Sequence, residues 1–176
     1  MNVFCKIILP LLCIISCSEI EVYNMKIDEN KKEVLVEIRN NTEKNYYLLS
    51  PVVSAMADHG LNHVTSEMIE GQMYYKKLDS IVCSVCIWDD ICKEEYYAMR
   101  DIVLLPKKSV KTIKYKYNNE KEYKIDEFYT VFPYNGYSNE IGKKMHFMLK
   151  KKLDSSNIIK GYEFYNKDIE TMTIKM

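Results

Sequence analysis

Glu33-Val34-Leu35-Val36-Glu37-Ile38-Arg39 is the stretch on which the fold turns. Val34, Val36 and Ile38 fall on one face of an extended chain. Glu33, Leu35, Glu37 and Arg39 fall on the other. Side chains of a strand alternate between faces, so this period of two predicts a half-buried strand with an apolar inner face. The polar run Asn40-Asn41-Thr42-Glu43-Lys44-Asn45 follows. Asn tolerates left-handed backbone and bonds its own chain, which makes the run a turn. Tyr46-Tyr47-Leu48-Leu49, stopped by Ser50-Pro51, is expected to return as the second strand of a hairpin.

The same rhythm recurs downstream. Asp101-Ile102-Val103-Leu104-Leu105 leads into Pro106-Lys107-Lys108-Ser109, where the fixed φ of Pro suits a turn. Ile113, Tyr115 and Tyr117 then alternate with Thr112, Lys114 and Lys116. Phe128 to Phe132 is an apolar strand ended by Pro133. Glu170 to Met176 alternates again and is expected to close the sheet. Two stretches are ambiguous by periodicity: Ser66 to Tyr75 reads as short helix or irregular strand, and Lys143 to Leu153 as strand or amphipathic helix. The chain holds 15 Tyr against 5 Gly and 4 Pro, a composition suited to pleated surfaces. Many short strands separated by turns predict an all-β sandwich.

The Leu105-Pro106-Lys107-Lys108-Ser109 turn between two such strands is similar to the edge hairpins of bacterial immunoglobulin-like sandwiches. The expected fold is therefore an immunoglobulin-like β-sandwich. Residues 51–100 break the strand rhythm and are read as an irregular insertion that carries Cys83, Cys86, Cys92 and Trp88.

At the N-terminus, Lys6 precedes the apolar run Ile7-Ile8-Leu9-Pro10-Leu11-Leu12-Cys13-Ile14-Ile15. A membrane-spanning helix needs roughly 20 apolar residues, so this run is too short to span and has the form of a secretory signal core. Ile14-Ile15-Ser16-Cys17 resembles the lipobox of bacterial lipoproteins. The resemblance implies diacylglycerol on the Cys17 thiol, fatty-acid (palmitate) attachment and cleavage before Cys17. Ser18-Glu19-Ile20-Glu21 is similar to the export signals of Bacteroidota surface lipoproteins and lacks an Asp directly after the Cys. An ordinary cleaved signal and an uncleaved anchor are the alternative readings of the same segment. The expected organisation is a signal peptide over 1–16, a lipidated tether over 17–24, and one sandwich domain over 25–176.

With 25 basic and 25 acidic residues, the chain has no net pull toward nucleic acid. The sharpest chemical cluster is Cys83-Ser84-Val85-Cys86 with Cys92. Outside the cytoplasm three thiols allow one bridge. In extended chain, residues three apart lie about 10 Å apart, beyond the roughly 4.4–6.8 Å that a disulfide accepts. Cys92 is therefore the expected partner of either Cys83 or Cys86, and the two remain open. A redox Cys-x-x-Cys site belongs at a helix start after a strand, whereas this one sits among β-branched residues. His59 and His63 have the spacing of two ligands on one helical turn and would complete a zinc set with Cys83 and Cys86. The bland reading is two surface histidines. Asp89-Asp90 and Glu94-Glu95 read as a solvated face, and the lysines of 107–116 and 143–152 as charged sheet edges.

These observations lead to an expected lipid-anchored protein of the cell envelope, on the outer membrane, without catalytic residues, cofactor or metal. Its expected partners are the membrane, through the anchor, and an envelope protein or glycan. The competing readings are a thiol- or metal-dependent envelope enzyme and an inhibitor or immunity lipoprotein.

Overall fold

The computed structural model describes residues 18–49, 51–74, 101–132, 140–155, 157 and 159–176. Among the described residues the fold is all-β with one helix. In order, the strands are β1 (Ile20–Asp28), β2 (Glu33–Asn40), β3 (Tyr46–Leu49), β4 (Val52–Ala57), β5 (Asn62–Glu70), β6 (Met73–Tyr74), β7 (Asp101–Leu105), β8 (Ser109–Tyr117) and β9 (Ile125–Val131). Helix α1 (Glu140–Asp154) and the short strands β10 (Glu163–Phe164) and β11 (Thr173–Lys175) follow.

Two sheets form. The larger has the order β1-β2-β8-β5-β4-β9-β11 and the smaller the order β10-β3-β7-β6. An immunoglobulin sandwich of the constant type sets four strands on three; here seven face four. All pairings are antiparallel except β10 with β3, which is parallel. The alternation at 33–39 sets the face of the large sheet as expected. Val34, Val36 and Ile38 are buried, while Glu33, Leu35, Glu37 and Arg39 are only half-buried. Val34, Val36 and Ile38 share one apolar cluster with Ile113 and Phe128 of the same sheet, with Leu48, Val103 and Leu105 of the small one, and with Tyr165 just after β10. On the inner face of the large sheet the rings of Tyr117 on β8 and Phe128 on β9 reach across the intervening strands and meet edge to face at 5.0 Å.

The two expected hairpins are replaced by crossings between sheets. β2 belongs to the large sheet and β3 to the small one; β7 belongs to the small sheet and β8 to the large one. The reason is visible in the burial of the small sheet. Tyr47, Leu48 and Leu49 are all buried, as are Ile102, Val103 and Leu105. A strand covered on both faces reads as a continuous apolar run rather than as an alternation. One face meets the large sheet. On the other, the Tyr47 ring lies tilted against that of its cross-strand neighbour Phe164, and its hydroxyl donates to Asp154 Oδ1 at 2.9 Å, at the end of α1. Lys143 to Leu153 is thus helical, and Leu153 is fully buried.

Other boundaries move too. β1 begins at Ile20, inside the segment expected as a tether, because Ile20 and Val22 are buried in the core. β4 and β5 fill 52–57 and 62–70, so the expected insertion cannot start at 51; β4 is an inner strand between β5 and β9, with Val53, Ala55 and Ala57 buried. Ser66 to Tyr75 is extended rather than helical over its described residues.

The tyrosines carry a testable consequence. Burial pushes the phenols of Tyr47 and Tyr115 well above their usual pKa, and for Tyr47 the neighbouring Asp154 carboxylate adds to the shift. The unfolded chain releases these protons near pH 10 and the folded chain keeps them. Their contribution is therefore intact below pH 10 and lost above it, at about 1.4 kcal/mol per pH unit for each group. Urea unfolding at pH 9 and pH 11 is expected to show that fall, and Tyr47→Phe to make it shallower.

Candidate functional site

Strand β5 changes partner along its length. Asn62 to Thr65 pair with β4, and Ser66 to Glu70 pair with β8, with a register shift between Met68 and Glu70. At the end where β5 first meets β8, the sheet opens into a cleft. Thr65, Ser66 and Glu67 line one side, Lys116, Tyr117 and Asn118 the other, and Lys32 closes it from the β1–β2 turn. Its volume is about 550 Å³, within the range of small-ligand sites. A second depression of about 270 Å³ adjoins it, lined by His63, Asn118, Asn119, Lys121 and Tyr123 among others. The bond from Asn118 N to the Thr65 carbonyl, 3.2 Å, lies where the two depressions share Asn118.

The surrounding turns are held by their own side chains. Asn119 bonds both the amide and the carbonyl of Tyr123, at 2.9 and 2.8 Å. Asp58 accepts from Lys124 N and from Asn62 Nδ2, and Asp126 accepts from His59 N at 2.6 Å. Asp58, His59 and Gly60 all have positive φ, which packs the β4–β5 turn tightly. In the β1–β2 turn, the backbone amide of Lys31 holds the Asp28 carboxyl below its usual pKa.

Chemically the cleft offers amides, hydroxyls, two ammonium groups and a carboxylate. Ser66 Oγ donates to the Val53 carbonyl, so its proton is directed at a backbone acceptor and not at a base. His63 Nδ1 lies 3.4 Å from the Tyr129 hydroxyl. These groups fit hydrogen-bonded recognition of a polar ligand.

The expected site residues are only partly in view. His59 and His63 lie in a β-hairpin, one in the turn and one on β5, so they do not share a helical turn as the zinc reading supposed. Both are exposed. Cys17, Cys83, Cys86 and Cys92 lie outside the described residues, as do Trp88 and the Asp89-Asp90 and Glu94-Glu95 patch. Among the described residues, no three His, Cys, Asp or Glu side chains converge as a metal site, and no helix is long and apolar enough to cross a membrane. The cleft itself went unforeseen. Its walls are 51 positions apart in the chain at Thr65 and Lys116, brought opposite each other only by the pairing of β5 with β8.

No protein-family profile, no curated protein and no solved structure matches this chain.

Proposed function

We propose that the chain is a lipid-anchored, non-catalytic protein of the cell envelope, carried on the outer membrane, whose cleft beside Asn118 binds a polar partner, a glycan or a protein loop. The observation that carries the reading is Ile14-Ile15-Ser16-Cys17 placed directly after a short apolar signal core. One acyl chain binds membranes only marginally, and the lipoprotein modification supplies more than one. The mixed lining of the cleft, with the Ser66 hydroxyl committed to a backbone carbonyl, supports binding over turnover. In the oxidising compartment this address implies, Cys92 forms one structural bridge with Cys83 or Cys86. The immunoglobulin-like character remains that of the β7–β8 turn sequence.

Cys17→Ala tests the reading. It is expected to accumulate as unprocessed precursor and to lose incorporation of labelled fatty acid; unchanged labelling would refute it.

A further inference from the structure

We propose that the anchor holds the sandwich flush against the bilayer, with the turn end of the body on the lipid headgroups and the cleft facing away. The inference rests on Cys17 being the lipidated residue and goes on to what the body does with it.

Little slack separates Cys17 from the folded body. Ser18 follows Cys17 directly, and consecutive Cα atoms are only about 3.8 Å apart. Ser18 is itself pinned: its carbonyl accepts from Asn41 Nδ2 at 2.9 Å, and the next carbonyl, of Glu19, accepts from Asn41 N at 2.8 Å. Glu19 also pairs with Lys167 at 2.6 Å. β1 begins one residue later. The lipid would thus be attached to a rigid sheet edge, and the whole body would take its orientation from that edge.

Register says which end this is. Ile20, Asn40 and Ser109 stand abreast at one end of β1, β2 and β8; Asp28, Glu33 and Lys116 stand abreast toward the other. The seven steps from Asn40 to Glu33 separate the two rows by about 24 Å. The cleft belongs to the second row, through Lys116 and Lys32.

The end beside Ser18 has the chemistry of a headgroup surface. It is built from three polar turns tied together: Lys108 N donates to the Thr42 carbonyl, Lys107 N to Asn45 Oδ1, and Asn45 Nδ2 to the Gly161 carbonyl. Lys44, Lys107, Lys108, Lys160 and Lys167 are exposed there. Lys44, Lys108 and Lys167 neutralise Glu163, Glu43 and Glu19. Lys107 and Lys160 pair with no carboxylate among the described residues, leaving two ammonium groups for lipid phosphates.

Lysine acetylation of the full lipidated protein, reconstituted into phosphatidylethanolamine–phosphatidylglycerol vesicles and read by mass spectrometry, tests the orientation. The comparison is a variant with about ten Gly/Ser residues inserted after Cys17, a flexible reach of about 17 Å. Lys44, Lys107, Lys108, Lys160 and Lys167 are expected to react several-fold more slowly in the unextended protein. Lys32, Lys116 and Lys121 are expected to react equally in both. Equal rates at the first set, on protein that floats with the vesicles, would overturn the orientation alone. Protein that fails to float with vesicles would overturn the anchor, and the orientation with it.

Discussion

Gly71→Ala is expected to lower the melting temperature by about 6–12 °C, the equivalent of about 3 kcal/mol in a domain of this size. Gly71 follows β5, where the chain leaves β8, and has a φ of +102°. A Cβ at this position would stand 2.8 Å from the Thr112 carbonyl oxygen and 3.0 Å from Ile113 Cα. Both are backbone atoms of an inner strand, so no flexible side chain can yield. Positive φ adds about 1–2 kcal/mol for any L residue. Gly60 is the control: its φ is +80° but nothing lies within 4 Å of its Cβ position. Gly60→Ala is expected to cost only the backbone term, about 1 kcal/mol. Equal losses for the two variants, measured by thermal unfolding, would mean that β5 and β8 do not approach as described.

Asn40→Ala is expected to cost about 2–4 kcal/mol, from unmet hydrogen bonds at a buried site. Asn40 closes β2 and is 1% exposed. Its amide donates to the carbonyls of Lys44, Pro106 and Leu105 at 2.8, 3.0 and 3.2 Å, and its oxygen accepts from Thr42 N and Thr42 Oγ1. One side chain thus joins the two turns that carry the chain between sheets, β2 to β3 and β7 to β8. Asn40→Asp is expected to be worse near neutral pH, because a carboxylate would face three carbonyl oxygens. The folded state would then hold the substituted carboxyl's proton more tightly than the unfolded state does. That raises its folded pKa, so part of the lost stability returns as pH falls toward 5. Urea unfolding at pH 7 and pH 5 reads the difference; a pH-independent loss would contradict the buried contacts.

How much of this was legible in the sequence depends on the range of the interactions. Val34, Val36 and Ile38 report their face locally, since strand alternation depends on two residues at a time. Tyr46 to Leu49 and Ile102 to Leu105 also carried a signal, the continuous apolar run of a strand covered twice. Taken as hairpin arms, they hid the crossings between sheets that Asn40 ties down. α1 was undecidable by periodicity because its one fully buried anchor among the described side chains, Leu153, sits in the last turn while Phe147 is 67% exposed. The split of β5 between β4 and β8, between Thr65 and Ser66, left no local trace, because register between distant strands is decided by the whole core.

Lipidation of Cys17 as the first residue of the processed chain is read at one peptide. Trypsin would release Cys17 to Lys26 from protein extracted from membranes. Its mass is expected to equal that of the peptide beginning at Cys17 plus a diacylglyceryl group and any amide-linked acyl chain. An unmodified peptide starting at Cys17, or a peptide extending upstream of it, would contradict the account.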